Sequence, residues 1–336
     1  MPRIELPRPA ESVVSVVIPT VSELRVEQAL TALVPHADGD IPFEVIVVAN
    51  GLPGLAAALR ANTSGVTVVE SAVNRGLAAA LNLGRSVATG EFLLCLHDDS
   101  QLRAGWMATM VATAAEHPEA GVFGGAVYEP DGGLQGMGMV LYTDGTTGVP
   151  WKAAGPSAAV LGEVRAVDYC GSSALLVRTS LLDAIGGLDE RFHPAYCVDV
   201  DLGLAARRAG SRVMVQPRAG SVHVRGASSS PHWRHFLNRT NRERLRTKWA
   251  AELATMSPPP PLGDAERAAL LAAERPLLPV MPAHDHGAPL PDEWFTETER
   301  RLLQAHVAEL EQQLDDATER LGRLRRRARK QGSPEE

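Results

Sequence analysis

Short apolar runs alternate with longer segments of helical periodicity over the first hundred residues of the chain. Two of these segments, ELRVEQALTALV and NRGLAAALNLGRSVATG, repeat apolar residues near helical spacing, and Ser22 is a suitable N-cap for the first. They are flanked by runs of strand length: VVSVVIP, FEVIVVANG, GVTVVE and EFLLCL. Strands that alternate with helices through brief connections predict right-handed crossovers and a parallel sheet. The pattern therefore predicts an α/β architecture of the kind that binds nucleotides.

The pattern becomes less regular and richer in glycine from about Gly121. VFGGAVYEPDGGLQGMGMVLY is typical of strands joined by hairpins, as in a mixed sheet. Further strands are predicted for YCGSSALLVR, SRVMVQP and SVHVRG, and a helix is predicted to end at Gly210. A basic amphipathic helix follows, and the prolines of MSPPPPLG then mark a boundary. We therefore expect one domain over residues 1–255 and a Pro-rich linker over residues 256–293.

Residues 294–330 predict an amphipathic helix. Its apolar residues recur at alternating spacings of four and three, which is a heptad pattern. The positions are Leu303, Val307, Leu310, Leu314, Ala317, Leu321 and Leu324. Two interpretations follow: a coiled coil that makes the protein a homodimer, or a single helix that packs on its own domain. The basic end, RLRRRARK, is compatible with contact to an anionic membrane surface and also with an ordinary solvated helix end.

Composition narrows the class of protein. The 336 residues are 45% hydrophobic, and their net charge of −7 includes no broad basic patch, which argues against a nucleic-acid partner. The three cysteines show no C-x-x-C spacing, and the sequence shows neither a signal peptide nor the ~20 consecutive apolar residues of a membrane span. We therefore expect a soluble cytoplasmic protein with reduced thiols, peripheral to the inner membrane face if its basic end binds lipid.

Two adjacent carboxylates, Asp98 and Asp99, follow the apolar run EFLLCL. They either begin a turn that Ser100 helps to cap, or serve as hard oxygen ligands for a divalent cation at the carboxyl end of the sheet. The segment after the first strand, PTVSELR, lacks the glycines of a dinucleotide-binding loop, and no P-loop motif occurs. A phosphorylated ligand would thus need a metal to offset its charge, which favours the second interpretation.

Five segments in order resemble the inverting GT-A glycosyltransferases of family two, especially their rhamnosyltransferase-like branch. They lie between Val13 and Trp249 and read VVIPT, NRGLAAALNLGRSVATGEFLLCLHDDS, GSSALLVRTSLLDAIGGLDERF, DVDLGLAARRAG and VHVRGAS. The resemblance implies a GT-A fold with a mixed central sheet, here followed by a C-terminal helical extension. It also implies a metal-dependent enzyme that moves a sugar, with inversion, from a nucleoside diphosphate to an acceptor hydroxyl.

The resemblance assigns a role to each matching residue. It implies Asp199 as the catalytic base and Asp99 as a ligand of Mn²⁺ or Mg²⁺, with His223 as a further ligand of the metal or of the diphosphate. It places Asp98 on the metal or on the ribose of the donor. The donor-binding residues would be Pro19, Thr20, Asn50, Asn74, Arg75, Gly76 and Asp98. The acceptor side would include Gly171, Asp189 and Glu190.

Each assignment has a structural alternative. His223 is also compatible with a hydrogen-bonded strand histidine, and Asp199 and Asp201 with helix capping, which we expect chiefly of Asp201. Asp189 and Glu190 are compatible with a turn.

Several positions depart from the family pattern, among them Val21 and Ser22, where the family usually has Tyr and Asn. Ala49, followed by Asn50, stands where an Asp usually reads the pyrimidine base, Val198 replaces the Glu before the base, and His97 takes the first position of the DxD-type motif. The donor is therefore left open among dTDP-, UDP- and GDP-linked sugars. The acceptor is left open among glycans, glycolipids and natural products. A degenerate domain that binds a nucleotide or glycan without turnover is the alternative function.

Overall fold

The computed structural model describes residues 3–37, 39, 41–148, 163–224, 230–259 and 289–331, apart from the side chains of residues 319 and 322–331. Its strands are β1 (Ile4–Glu5), β2 (Val14–Thr20), β3 (Phe43–Asn50), β4 (Thr63–Ser64), β5 (Val66–Ser71), β6 (Phe92–Leu96), β7 (Ser100–Leu102), β8 (Ala120–Tyr128), β9 (Leu134–Gly136), β10 (Val140–Leu141), β11 (Thr147–Gly148), β12 (Arg165–Val167), β13 (Ala174–Arg178) and β14 (Arg212–His223). Its helices are α1 (Glu23–Leu33), α2 (Leu55–Asn62), α3 (Gly76–Arg85), α4 (Trp106–Glu116), α5 (Thr179–Ile185), α6 (Val198–Arg208), α7 (Pro231–Lys248), α8 (Ala250–Leu253) and α9 (Asp292–Gln331).

The main sheet has the order β12-β14-β8-β13-β6-β2-β3-β5, with β7 paired to β14 and β9 paired to β8. Strands β5, β3, β2 and β6 are parallel to one another, whereas β13 runs antiparallel to both of its neighbours. The predicted α/β fold with a mixed central sheet is therefore confirmed. The central strands are continuous apolar runs because helices cover both faces of the sheet.

Two apolar layers sandwich the sheet. Helices α1, α2 and α4 pack on one face through residues such as Leu30, Leu59 and Met110. Helices α3, α5 and α6 pack on the other face, where Leu81 and Leu182 are buried. The carboxyl ends of β2, β3 and β6 meet at one edge of this three-layer arrangement, which is where ligands bind in open α/β sheets.

Helix α9 packs on α7, but not through the heptad seam. Leu302 lies against Phe236 and Leu237, and Arg239 of α7 forms an ion pair with Glu309. The seam residues remain exposed on another side of the helix: Leu303, Val307, Leu310, Leu314 and Leu321. Intramolecular packing is therefore observed for the first half of α9, and it leaves the predicted dimer seam uncovered.

Some sequence predictions fall on other parts of the chain. Most of the predicted linker, residues 260–288, lies outside the described residues, as do the side chains of Leu324 and of the basic end. Among the helices that are described, none is both long enough and apolar enough to cross a bilayer. The domain boundaries, the homodimer and the membrane contact stay predictions.

Candidate active site

Strand pairing brings two histidines and an aspartate together at the edge of the sheet. His97 follows β6, and its backbone N–H donates to Ser173 O at 3.0 Å, which extends the antiparallel pairing of β6 with β13. Strand β7 turns back to pair with β14, so that Ser100 lies opposite His223. The backbone N–H of Val224 donates to Asp99 O at 3.0 Å and closes this pairing. His97, Asp99 and His223 are thus fixed by backbone hydrogen bonds.

The side chains of this triad converge. One potential ligand atom from each of His97, Asp99 and His223 lies within 4.8 Å of the other two. Asp99 Oδ1 is buried, 3.3 Å from His223 Nε2 and 3.9 Å from His97 Nδ1. Two imidazoles and one carboxylate form a donor set that suits several divalent transition metals, Mn²⁺ included.

Gln135 fixes the orientation of His223. The Gln135 side-chain amide N–H donates to the carbonyl oxygen of His223 at 3.3 Å, which leaves Gln135 Oε1 to face His223 Nδ1 at 2.7 Å. In the neutral ring, Nδ1 therefore carries the proton and Nε2 presents its lone pair to Asp99. Two lone pairs at 3.3 Å repel each other unless a proton or a cation lies between them, so the arrangement fits a metal ion.

The charges of the triad agree with this interpretation. Burial lowers the pKa of His97 to about 4, so its imidazole is neutral at physiological pH. Burial alone would raise the pKa of Asp99, but His223 and His97 in their protonated forms, together with Arg25, hold that pKa below its ordinary value. A neutral imidazole and an ionised carboxylate are the protonation states that bind metals.

Asp98 is not part of the triad, and its carboxylate is bound at the end of β2. Its carboxylate accepts a hydrogen bond from Thr20 Oγ1 at 2.6 Å and forms an ion pair with Arg25 at 3.2 Å. Burial raises the pKa of Asp98. Of the two roles left open by the sequence, this geometry favours the one on the donor side, away from the metal ligands.

A cleft of about 310 Å³ lies beside the triad. Its lining includes His97 and Asp99 of the triad, together with Trp233, Leu237 and Glu299 from α7 and α9. It also contains six of the seven predicted donor-binding residues: Pro19, Thr20, Asn50, Asn74, Gly76 and Asp98. The seventh, Arg75, is not among the residues that line the cleft, and it pairs with Asp292 and lies over the ring of Phe295.

An amide network shapes the wall of this cleft. Asn50 Oδ1 accepts from the backbone N–H of Arg75 at 2.9 Å, and its Nδ2 donates to Asn74 Oδ1 at 3.1 Å. Gly76 begins α3 with φ +72°, and a Cβ there would lie 2.5 Å from Pro194 O. Glycine is therefore required at position 76, because both the backbone conformation and the close approach exclude a side chain.

Asp199 lies in the first turn of α6 and is linked to the triad through Ser172. Burial raises its pKa to about 6, against the opposing effect of backbone N–H groups that include those of Val200 and Ser172. The hydroxyl of Ser172 also lies 3.3 Å from His97 Nε2. Ser172 therefore contacts both the imidazole of His97 and the carboxylate of Asp199. The pKa of Asp199 suits it to accept a proton near neutral pH.

Asp201 is engaged in the core instead. It is 2% exposed, pairs with Lys248 at 2.6 Å and accepts a hydrogen bond from Trp249 Nε1 at 2.6 Å. The N-cap of α6 is Cys197, whose side chain makes no capping hydrogen bond, and the first-turn N–H of Val200 donates to Asp199 Oδ1 at 3.0 Å. Asp201 thus anchors the end of α7 and the start of α8, and the expectation that it caps α6 is wrong.

The predicted acceptor-side residues lie in different places. Gly171 precedes Ser172, whose backbone N–H donates to Asp199. Asp189 instead forms ion pairs with Arg191 and Lys248. Glu190 accepts from Asn82 Nδ2 at 3.1 Å and from the backbone N–H of Leu290 at 3.0 Å. Asp189 and Glu190 are not among the residues that line the cleft. Both instead stabilise a turn, which is the structural alternative given for them above.

The structure adds residues that the sequence did not assign. One of them is His97, which departs from the family motif. Its place at the first position of the DxD-type motif could have identified it as a metal ligand. Gln135 and Ser172 hold the two histidines, and Glu299 reaches the cleft from the C-terminal helix. No local pattern marks these three residues, because each is brought in by tertiary contacts.

Comparison with known proteins agrees with this architecture. The sequence model of the family described as Glycosyl transferase family 2 matches residues 15–181. O-antigen biosynthesis protein RfbC of Myxococcus xanthus is 31% identical over 44% of this chain and 12% of its own length. N-acetylglucosaminyl-diphospho-decaprenol L-rhamnosyltransferase of Mycobacterium tuberculosis is 26% identical over 56% of this chain and 68% of its own length. The chain spans only 25% and 12% of the lengths of the first two curated relatives that it matches.

Solved structures share the fold. GalNAc-T7 with UDP, GalNAc and Mn²⁺ superposes with a TM-score of 0.56 at 12% identity, covering 88% of this chain and 58% of the other. The mannosyltransferase PcManGT of Pyrobaculum calidifontis, in complex with GDP-Man and Mn²⁺, has a TM-score of 0.51 at 20% identity, covering 92% and 79%. The likeness to these glycosyltransferases confirms the predicted GT-A fold.

Proposed function

Because the chain belongs to glycosyltransferase family 2, we propose that it moves a sugar from a nucleoside diphosphate donor to an acceptor hydroxyl with inversion of configuration. His97, Asp99 and His223 hold a divalent cation, for which their two imidazoles suit Mn²⁺ better than Mg²⁺, and Asp199 is the general base. The observation that carries this proposal is the convergence of the triad within 4.8 Å beside the cleft that contains the predicted donor residues.

The residues divide the chemistry between two sides of the reacting sugar. A cation bound by the triad would offset the negative charge that develops on the diphosphate leaving group. Gln135 keeps Nε2 of His223 directed at that cation, and Thr20 and Arg25 hold Asp98 on the donor side. Asp199 takes the proton of the acceptor hydroxyl as the new bond forms. A carboxylate that binds the cation cannot also take this proton, so two separate groups are needed.

The proposed donors are dTDP-, UDP- and GDP-linked sugars, and the acceptors are glycans, glycolipids or natural products. The solved neighbours contain UDP or GDP-mannose, and one curated relative is described as a rhamnosyltransferase acting on a diphospho-decaprenol acceptor. These names support the donor class and a lipid-linked glycan among the acceptors to be tested first.

Donor hydrolysis and transfer with a panel of nucleotide sugars, with Mn²⁺ and with EDTA, test the proposal. We expect turnover that requires the metal. Asp99→Ala should abolish it without unfolding the protein, while Asp183→Ala, a matched change at a surface carboxylate that pairs with Arg85, should leave it intact. Nucleotide binding without turnover by the wild type would instead identify the degenerate binding domain. Full activity of Asp99→Ala, or of the wild type in EDTA, would contradict the metal-dependent mechanism.

A further inference from the structure

Helix α9 presents a carboxylate on the face that it packs against the rest of the chain. Phe295, Glu299, Leu302 and His306 follow the i, i+4, i+7, i+11 spacing of one helical face. Phe295 and Leu302 are buried, and the His306 ring packs on aromatic rings of α7. Glu299 occupies the position between them. A carboxylate at such a position costs stability unless it has a partner.

Glu299 has no ion-pair or hydrogen-bond partner among the residues that the structure describes, and burial raises its pKa. Two other acidic residues of α9 that face the domain are paired: Asp292 with Arg75, and Glu309 with Arg239. Glu299 instead lines the cleft that also contains Thr20, Asn50 and Asp98. Packing of the helix therefore gives no reason for a carboxylate at this position, whereas the cleft does, because Glu299 contributes a polar group to its lining.

The charge of Glu299 limits what it can contact there. An ionised carboxylate accepts hydrogen bonds and donates none, and it repels a diphosphate. The diphosphate belongs beside the triad, so Glu299 must meet N–H or O–H groups elsewhere on the ligand. Asn50 Oδ1 binds the N–H of Arg75 and Asp98 binds Thr20 and Arg25, whereas the Glu299 carboxylate has no such partner among the described residues.

We propose that Glu299 is a specificity-determining residue of the donor cleft, whose carboxylate accepts hydrogen bonds from the N–H and O–H groups of the bound nucleotide sugar. The inference rests on the proposed function and adds to it a recognition group supplied by the C-terminal helix. The hydrogen-bond donors belong either to the nucleoside or to the transferred sugar, and the experiment separates these two sources.

Calorimetric titration of the full chain tests the role of Glu299. UDP, dTDP, GDP, their nucleotide sugars and pyrophosphate are each titrated in Mn²⁺ into the wild type, Glu299→Ala, Glu299→Gln and the control Glu293→Ala, whose side chain is exposed on the same helix. For the nucleotide sugar that the wild type prefers, Glu299→Ala should bind about tenfold more weakly and Glu299→Gln by less. Pyrophosphate affinity and the control should not change. Loss already seen with the nucleoside diphosphate assigns the contact to the nucleoside; loss seen only with the nucleotide sugar assigns it to the sugar.

Melting temperatures provide a second readout, because removal of an unpaired, half-buried charge should stabilise the free protein. Glu299→Gln should therefore melt at or above the wild-type temperature. Unchanged nucleotide-sugar affinity in Glu299→Ala overturns the inference and leaves the proposed function standing. Equal losses for pyrophosphate and nucleotide sugar, or a lower melting temperature for Glu299→Gln, also overturn it, since they indicate a structural role. A wild type that binds no nucleotide overturns the proposed function and this inference together.

Discussion

Asp199 and Asp201 are two residues apart, yet their surroundings give them opposite roles. Asp199 is held by backbone N–H groups beside the triad, whereas Asp201 is neutralised by Lys248 and bound by Trp249. Sequence spacing alone cannot separate these two carboxylates, because both lie in the first turn of one helix. Their partners lie far along the chain and become visible only when α7 and α8 pack against α6.

We expect Asp199→Asn to reduce transfer by ~10²- to 10⁴-fold, the usual loss on removal of a general base. Binding of donor and Mn²⁺ should be nearly unchanged, since Asp199 contacts neither in the proposed arrangement. Asp201→Asn is the matched control: it should lower the melting temperature because it breaks a buried ion pair, yet retain transfer in the folded fraction. Normal transfer in the first variant with a collapse in the second would move the base to Asp201.

The pH dependence of the wild type follows from the same residue. Asp199 has a pKa of about 6, above the ordinary 3.8, so it is protonated and inactive as a base below that pH. The positive charge of a bound cation lowers this value, so kcat should fall on the acid side at or below about pH 6. Because the folded state holds this proton more tightly than the unfolded state, its contribution to stability is greatest below pH 3.8 and is lost as pH rises through 6. Asp199→Asn should therefore melt no lower than the wild type at pH 8.

At the scale of elements, the periodicity of apolar residues predicted those strands and helices whose formation depends on the local sequence. The strands β2, β3, β5 and β6 and the helix α1, with Ser22 as its N-cap, form where apolar spacing and capping chemistry indicated. The triad required more, because His97, Asp99 and His223 meet through the pairing of β6 with β13 and of β7 with β14. Such pairing depends on long-range packing, which a single sequence does not encode in any local window. The resemblance to the family identified Asp99 and His223 as candidate ligands, but it identified His97 only as a departure from the family motif.

Helix α9 illustrates the same limit, since its heptad pattern was visible while the face that binds the domain was not. We expect Leu302→Ala to destabilise the protein by about 2–4 kcal/mol, because Leu302 is 7% exposed against Phe236 and Leu237. Leu24→Ala, at a helical leucine that is 62% exposed, is the control and should change stability by less than about 0.5 kcal/mol. Chemical denaturation measures both. Equal, small effects would show that α9 does not dock on α7 in solution.

At the scale of the whole molecule, docking of α9 on α7 leaves the predicted seam free for a second copy. The charges beside the seam are separated along the helix. With the seam at the a and d positions, the flanking e and g positions carry the acidic residue Glu311 in the first part and the basic residues Arg320, Arg325 and Arg327 in the second. Two parallel copies would set the basic segments side by side. Two antiparallel copies would set the basic segment of each against the first part of the other, which carries Glu311, so the sequence favours an antiparallel pair.

We therefore expect the chain to form a homodimer through the exposed seam, with α9 antiparallel in the two copies. Salt distinguishes the orientations, because it screens attraction in the antiparallel pair and repulsion in the parallel one. Sedimentation equilibrium in increasing NaCl should show a dissociation constant that rises with salt. Leu314→Asp, which places a charge on the seam at a residue that is 67% exposed, should give a monomer with an unchanged melting temperature at low protein concentration. A dissociation constant that falls with salt would indicate a parallel coil. A wild type that sediments as a monomer at micromolar concentration would contradict the dimer, and the seam would then have no partner in a second copy.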